Sequence, residues 1–288
     1  MPSDRTGFIG SSEIATVLGL NPFQTLLELW AIKTGQIESK DLSDVEAVEW
    51  GVRLEKVVAK KFADKHKVKL IAYKKRFVHP KYDFLTCELD TIISGTNEMV
   101  EIKTCNAWKF KDWEQPDDIP AHYICQVMFA LGLSSRNVGH IAVLIGGQKY
   151  IEKKVIFDEQ IYNEMVRKAV VFWQTYVLTK TMPMLISNND DNILYQLFPN
   201  AQIDKEINLP DEVNIKLENL EALNQDKKSV EGQIGKIKNE LKSYIKENEV
   251  GTTGLWRIKW SNVHKDAYEV KEQNYRQLSY KKIENKNA

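Results

Sequence analysis

Apolar residues recur along this chain at two different spacings, and the change from one spacing to the other predicts its elements. Spacings of three and four residues predict helices at 11–18, 25–33, 44–66, 120–132 and 159–179. A serine begins the first of these segments and a glycine closes each of the first two, as expected for helix caps. Ser43 and Glu46 have the spacing of a capping box at the start of the third.

Alternating apolar and polar residues predict strands in the middle of the chain. The alternating segments are 68–79, 83–94 and 98–105, with a turn at 95–97. Residues 137–146 and 148–157 predict a hairpin that turns at Gly146 and Gly147. Helices therefore precede a run of strands, and a helix–strand–strand–helix order follows. This order predicts an α/β fold in which helices flank a mixed central β-sheet.

The character of the sequence changes at about residue 186, where a polar, turn-prone segment begins. Residues 211–249 predict helix, but the spacing of their apolar positions slips near 224–227, so a clean coiled coil is not predicted. A two-helix hairpin and a helix packed along the core both fit this segment. Residues 255–260 alternate and predict a strand. We expect a core of residues 1–185 and a mostly helical C-terminal extension of residues 186–288.

Composition favours a globular protein of the reducing cytoplasm. The chain of 288 residues is 43% hydrophobic and 28% charged, which is enough apolar material for a sizeable core. It has no apolar run long enough to predict a transmembrane helix, and its first residues lack the pattern of a secretory signal. Three cysteines without CxxC spacing support neither a disulfide framework nor a zinc site.

Charge changes this picture only locally. The 40 basic and 40 acidic residues cancel, which argues mildly against nucleic-acid binding because phosphates usually require a basic surface. The distribution along the chain is uneven, since residues 74–77 and 103–111 are basic and residues 114–120 are acidic. A basic groove can therefore coexist with an acidic exterior.

The residues that indicate chemistry lie in segment 87–104, CELDTIISGTNEMVEIKT. On two strands joined by a turn, Asp90 lies beside Glu101, and Glu101 shares one face with Lys103 because they are two residues apart. Carboxylate oxygens suit Mg²⁺ or Mn²⁺, which can polarise a phosphate and activate a water, and the Ile102 carbonyl is a further candidate ligand. A solvated cross-strand ion pair is the alternative, although charges on a core strand are costly without a role.

This hairpin and four other segments resemble a known family. Asp-x(10)-Glu-x-Lys on a hairpin is typical of the PD-(D/E)xK nuclease superfamily, which has a restriction-endonuclease-like core. The accompanying segments are RTGFIGSSEIATVLGLNPF at 5–23, LWAIKTG at 29–35, EWGVRLE at 49–55 and HYICQVMFALG at 122–132. In this order they resemble the lambda-exonuclease-like, YqaJ-type viral recombinase nucleases, and the resemblance covers about residues 5–180.

The resemblance implies roles for five side chains around the hairpin. Asp90, Glu101 and Lys103 match the catalytic triad, and Asp90 and Glu101 would hold the metal together with the Ile102 carbonyl. Glu55 matches a helix-borne glutamate near the metal and is implied to be a further metal ligand, and Gln126 matches a glutamine that faces the site from the following helix. The resemblance thus includes Glu55 and Gln126 among the catalytic residues.

The resemblance also implies a pocket for the 5′-phosphate of DNA. Arg5 and Ser12 match an arginine and a serine with the same spacing, and both residue types suit a phosphate at a helix N-terminus. The chain departs from the family at Glu88, because the position two before the catalytic aspartate is often small there and can touch phosphate. That contact is therefore not expected here.

The function implied is that of a phage or prophage 5′→3′ double-strand DNA exonuclease in the bacterial host cytoplasm. Such an enzyme uses Mg²⁺, for which Mn²⁺ can substitute, and leaves 3′ overhangs for a RecT- or Bet-like single-strand annealing protein. Relatives form rings of three, so a homo-oligomeric ring is implied too. A structure- or site-specific endonuclease on the same fold is the alternative enzyme, and a DNA-binding module without catalysis is the alternative class.

Two tryptophans interleaved with lysines follow the catalytic segment. Trp108 and Trp113 alternate with Lys109 and Lys111. Stacking on a DNA strand is one interpretation, because aromatic rings and cations together bind single-stranded nucleic acid. Packing of a loop onto the core is the other.

Overall fold

A computed structural model describes residues 5–73, 75–115, 117–184, 187–203, 205–267, 272 and 275–281. The chain divides into two compact units, Met1–Pro199 and Asn200–Ala288. The division lies later than the expected boundary at residue 185, because helix α6 (Asp191–Leu197) belongs to the first unit. Asp190 is fully buried there and accepts a hydrogen bond from the Thr25 hydroxyl, and Ile193 packs into the main core.

The first unit contains short and long helices around two sheets. Its other helices are α1 (Ile14–Val17), α2 (Leu26–Lys33), α3 (Glu46–His66), α4 (Ala121–Ser134) and α5 (Glu159–Phe172). Two 3-10 turns span Ser11–Glu13 and Ala107–Trp113, and a π-helical turn at Trp173–Val177 continues α5. Its strands are β1 (Ile9–Gly10), β2 (Leu70–Ala72), β3 (Phe77–Val78), β4 (Leu85–Cys87), β5 (Thr91–Ile93), β6 (Glu98–Cys105), β7 (Val138–Ile145) and β8 (Lys149–Ile156).

The larger sheet is mixed, as the sequence predicts. Its order is β2-β5-β6-β7-β8, and β6 and β7 are parallel neighbours while the other pairs are antiparallel. Parallel strands need a crossover, and α4 lies in that connection. A second sheet has the order β1-β4-β3, with β1 parallel to β4. The expected α/β fold with helices flanking a mixed sheet is therefore confirmed.

Two segments that were expected to be single strands are each divided. Residues 68–79 form β2 and β3, and residues 83–94 form β4 and β5, so each segment crosses from one sheet to the other. The pairing of β5 with β6 stops at Thr91 opposite Val100. Immediately before Thr91, the side chain of Asp90 replaces the backbone as the hydrogen-bond partner of β6. Periodicity alone did not reveal this change of sheet.

The expected side-chain caps are wrong at two helix starts. The first turn begins as 3-10 helix after Gly10, and the Gly10 N–H donates to the Glu13 carboxylate at 2.9 Å, so the cap comes from within the turn. Helix α3 begins after Val45 without a side-chain cap, so Ser43 and Glu46 form no capping box. By contrast, Thr25 caps α2 as a helix N-cap does, by accepting from the backbone N–H of the third helical residue.

The second unit consists of one long helix and a small hairpin. Helix α7 runs from Glu212 to Ile245 without interruption, so the two-helix hairpin is excluded. Strands β9 (Val250–Thr252) and β10 (Arg257–Lys259) pair antiparallel, and β10 lies within the strand expected at 255–260. Among the residues that the structure describes, no helix combines the length and the apolar character needed to cross a membrane.

Candidate active site

Strand β6 separates two cores, and its alternation decides which side chains reach the site. Val100 and Ile102 pack in the smaller core with Val58 and Phe62 of α3. Met99 points to the opposite face and belongs to the main core, which includes the buried face of α4. Because side chains alternate along a strand, the odd-numbered residues of β6 share the face of α4. Glu101 and Lys103 are the charged members of that face.

Asp90 lies immediately before β5. Its side chain, in place of the β5 backbone, accepts the next hydrogen bond from β6. Its Oδ2 accepts a hydrogen bond from the Ile102 N–H at 2.8 Å. The N–H and C=O groups of one strand residue point to the same side, so the Ile102 carbonyl also projects toward this edge. The structure therefore brings together the aspartate and the carbonyl that the sequence analysis singled out.

Glu101 is held firmly in place. The residue is 3% exposed, and its Oε1 accepts from Lys103 Nζ at 2.6 Å and from Gln126 Nε2 at 2.5 Å. Gln126 therefore faces the site from α4, in the position expected for it. Both donors bind the same carboxylate oxygen, Oε1. They therefore fix the direction in which the second oxygen of Glu101, Oε2, points.

The electrostatics of the site reflect two carboxylates brought together inside the protein. Burial and the neighbouring charge of Glu101 raise the pKa of Asp90 from 3.8 to about 7, against the opposing effects of the Ile102 hydrogen bond and of Lys103. Burial alone would lower the pKa of Lys103, but the charge of Glu101 and its hydrogen bond outweigh burial and raise it. Lys103 is therefore an ammonium at neutral pH.

Glu55 approaches the site from the other face of β6. Helix α3 passes close to this strand, because a methyl group added to Gly51 would lie 3.4 Å from the Thr104 hydroxyl. Glu55 is one turn further along the same helix face. Its charge adds to those that raise the pKa of Asp90, although it is the smallest of the contributions.

The donor set suits a hard divalent cation. Two carboxylates and a backbone carbonyl supply oxygen alone, the ligand type that Mg²⁺ and Mn²⁺ prefer. A bound cation would also relieve the repulsion that raises the pKa of Asp90. Across the described residues, no group of three or more histidine, cysteine, aspartate or glutamate side chains is arranged to hold a metal. Glu55 therefore does not complete a three-carboxylate site with Asp90 and Glu101 in this arrangement.

Arg5 and Ser12 form a second, smaller polar site. An Arg5 guanidinium nitrogen donates to Ser12 Oγ at 3.3 Å. Strand β1 pairs with β4, with Gly10 opposite Thr86, and the chain after β4 leads to Asp90. The 3-10 turn that contains Ser12 also contacts α4. The turn therefore contacts the helix that carries Gln126 and lies beside the strand that precedes Asp90.

Sequence reasoning missed the ion pair beneath this second site. The side chain of Lys33 is fully buried, and its Nζ lies 2.9 Å from each carboxylate oxygen of Glu13. It also donates to the Arg5 carbonyl at 2.6 Å. Both residues lie in the quoted segments 5–23 and 29–35, but a helical Lys–Glu pair normally stays on the surface. Lys33 thus fixes the backbone of Arg5 from inside the core.

The neighbours of Lys103 were also missed. The Lys103 ammonium lies 5.4 Å from the ring centroid of Tyr123, and the Tyr123 and His122 rings lie 4.0 Å apart. The segment that holds His122 and Tyr123 was quoted for the resemblance, but nothing in its pattern indicated contact with the lysine. Glu88 is exposed and accepts from Arg76 at 3.0 Å, so its carboxylate is paired with a cation on the surface.

The sequence is similar to those of known proteins. Residues 3–137 match the model of the YqaJ-like viral recombinase domain. The uncharacterised protein YqaJ of Bacillus subtilis (strain 168) is 30% identical over 271 residues, which cover 93% of this chain and 84% of that protein.

Solved structures agree at the level of the fold. The alkaline exonuclease LHK-Exo from Laribacter hongkongensis superposes with a TM-score of 0.51 at 15% identity, over 62% of this chain and 91% of that one. LHK-Exo in complex with dAMP superposes with the same TM-score of 0.51 at 16% identity and the same coverage, 62% and 91%.

The raised pKa of Asp90 predicts how Asp90→Asn changes stability. A carboxyl whose pKa is raised by folding stabilises the folded state below its ordinary pKa, and that contribution is lost as the pH rises. For Asp90 the window runs from 3.8 to about 7. With metal removed by EDTA, we expect Asp90→Asn to be more stable than wild type by up to about 4 kcal/mol at pH 8 and nearly equal to it at pH 4.

Urea denaturation at several pH values measures this difference. Asp64→Asn is the matched control, because Asp64 is an exposed aspartate paired with Lys60 on α3. It should leave the pH dependence unchanged. A variant Asp90→Asn that is less stable than wild type at pH 8 would contradict the account of two repelling carboxylates.

Proposed function

The chain belongs to the YqaJ-like viral recombinase family, and from this premise we propose that it is a nuclease, a metal-dependent 5′→3′ double-strand DNA exonuclease. It removes nucleotides from a 5′ end and leaves a 3′ overhang. One observation carries the proposal most strongly. A buried Glu101 is paired with Lys103 beside an aspartate whose Oδ2 is bound to the Ile102 N–H at 2.8 Å.

Asp90, Glu101 and the Ile102 carbonyl would hold the cation, with Mg²⁺ as the expected ion and Mn²⁺ as a substitute. Such an ion polarises the scissile phosphate and lowers the pKa of a bound water when it is present. Gln126 acts on this site through Glu101, because its amide donates to the same oxygen as Lys103. It is a positioning residue that keeps the other oxygen of Glu101 turned toward the cation.

Lys103 stabilises charge at the phosphate that is cut. Its raised pKa makes it an ammonium in the resting protein, so it is poorly suited to take a proton from water. An ammonium beside the cation site can instead neutralise the additional negative charge that develops on the phosphate oxygens in the transition state. Glu55, on the opposite face of β6, adds negative potential that favours cation binding.

The 5′ polarity rests on Arg5 and Ser12. A terminal phosphate monoester carries more negative charge than an internal diester, and a guanidinium with a hydroxyl favours it. Arg5 Nε is buried and has no hydrogen-bond partner among the described residues, so it is a donor that an anion can satisfy. Lys33 holds the Arg5 backbone in place through its carbonyl.

The biological setting that we propose is the one that the resemblance implies. Linear duplex ends are the substrate, and a RecT- or Bet-like single-strand annealing protein takes over the exposed strand. A ring of three chains around the DNA, in the cytoplasm of a bacterial host, completes the proposal.

Lys103→Ala tests the catalytic assignment. We expect its turnover on linear duplex to fall by about a hundredfold or more, because a transition-state stabiliser is lost while the carboxylates remain. Its affinity for DNA should change little. Lys60→Ala is the control, since Lys60 is an exposed lysine on α3 that pairs with Asp64.

The assay follows nucleotide release with Mg²⁺ from linear duplex and from a covalently closed circle of the same sequence. Wild type should digest only the linear form. Near-normal turnover by Lys103→Ala would contradict an active site on β6. Cutting of the closed circle would favour an endonuclease.

Arg5→Ala tests the polarity. We expect it to slow digestion of 5′-phosphorylated duplex by about ten- to a hundredfold, the effect of losing one charge-assisted contact, and to slow 5′-hydroxyl duplex much less. Arg167→Ala is the control, because Arg167 is exposed and pairs with Glu164 on α5. Equal rates on both ends with the wild-type protein would show that no phosphate pocket operates.

A further inference from the structure

The structure separates the two tryptophans that follow the catalytic strand. Trp113 is 2% exposed and belongs to the main core, whereas the side chain of Trp108 is 88% exposed on the same 3-10 turn. Trp113 is therefore the packing residue of this turn. Packing accounts for only one of the two rings, and Trp108 remains without a role in the fold.

The turn presents Trp108 on a fixed base. Asn106 caps it, with its side-chain oxygen accepting from the Trp108 N–H at 3.1 Å. Ala107, between Asn106 and Trp108, packs closely on the β7–β8 turn. A methyl group added to Gly146 of that turn would lie 2.9 Å from the Ala107 Cβ. The Lys149 ammonium lies 4.0 Å from the Phe110 ring centroid on the far side of the turn. An exposed ring on so constrained a turn loses little further backbone entropy when it binds.

The turn lies beside the catalytic lysine. It begins two residues after Cys105, the last residue of β6. The Trp113 ring, on the last residue of the turn, stacks on the Tyr123 ring with 5.5 Å between their centroids. The Lys103 ammonium lies 5.4 Å from the centroid of the same Tyr123 ring. Trp108 therefore lies on a turn that directly follows β6 and contacts a neighbour of Lys103. This turn is adjacent to the place where the phosphate is expected.

The chemistry around Trp108 favours nucleic acid over a protein partner. Its neighbours Lys109 and Lys111 are exposed cations, and Lys109 lies 3.4 Å from Asp112 in a solvent-exposed ion pair. A phosphate backbone can replace so weak a surface pair while a base covers the ring. Across the described part of the turn Ala107–Trp113, Trp108 is the only large apolar side chain that is exposed. A protein interface would normally need a wider apolar patch.

We propose that Trp108 stacks on an unpaired nucleobase of the DNA close to the scissile phosphate. Lys109 and Lys111 contact the backbone on either side of that base. The site would bind any base, since every base offers a π-face, and so it suits an enzyme that must act on all sequences. This inference rests on the proposed function, because it assumes DNA at the catalytic hairpin.

The test uses the full chain with Lys103→Ala, which should bind DNA without cutting it, and a fluorescent linear duplex. Trp108→Ala in this background should weaken binding about tenfold, the effect of one lost base stack. Trp108→Phe should retain most of the affinity, because a ring remains. Trp256→Ala is the matched control, since Trp256 is 73% exposed but lies on the hairpin of the second unit, and it should have no effect.

A series of duplexes with one abasic position at a time identifies the base. At one position near the 5′ end, loss of the base should weaken binding to the Trp108 protein about tenfold and should have no further effect on Trp108→Ala. If Trp108→Ala binds as tightly as its parent, or if its effect is additive at every abasic position, the stacking site is contradicted. Nuclease activity and DNA binding would persist in that case. A wild-type protein that neither binds nor cuts DNA would instead remove the proposed function and the inference together.

Discussion

The site depends on one hydrogen bond, from the Ile102 N–H to Asp90 Oδ2 at 2.8 Å. A strand continued from β4 into β5 would satisfy that N–H with a backbone carbonyl. Here a carboxylate does so, which ends the β5–β6 pairing and holds Asp90 near the buried Glu101. The consequence is electrostatic, because two like charges share a region of low dielectric and the pKa of Asp90 rises to about 7. A cation is the natural partner for such a pair.

The rest of the first unit keeps this arrangement in place. Hydrophobic packing of α3 on one face of β6 and of α4 on the other fixes the strand, so Glu101 stays buried and the side chain of Lys103 is only 21% exposed. Gln126 and Lys103 then share a single oxygen of Glu101. Burying a charge costs desolvation free energy, but a buried charge with fixed partners keeps its geometry. A cation site requires such a fixed geometry.

The hairpin proposed as catalytic could be predicted because its information is local. Asp90, Glu101 and Lys103 lie within one turn and two strands, so alternation alone places two of them on one face. The partners of Glu101 and of Arg5 come from distant segments, and only the resemblance indicated Gln126. The buried pair of Glu13 and Lys33 could not be predicted, since its stability depends on tertiary burial that periodicity does not encode. The division of two predicted strands between sheets also depends on tertiary contacts that periodicity does not encode. In one of the two, the side chain of Asp90 ends the pairing of β5 with β6.

Calorimetric titration with Mn²⁺ at pH 7 tests the central claim most directly, since it measures the cation at the paired carboxylates. Wild type should bind the ion and release part of a proton, because the raised pKa of Asp90 leaves that carboxyl partly protonated before binding. The released proton is measured by repeating the titration in buffers of different ionisation enthalpy. Glu101→Gln should lose most of the binding. Equal affinity of wild type and Glu101→Gln for Mn²⁺ would contradict a cation site at Asp90 and Glu101.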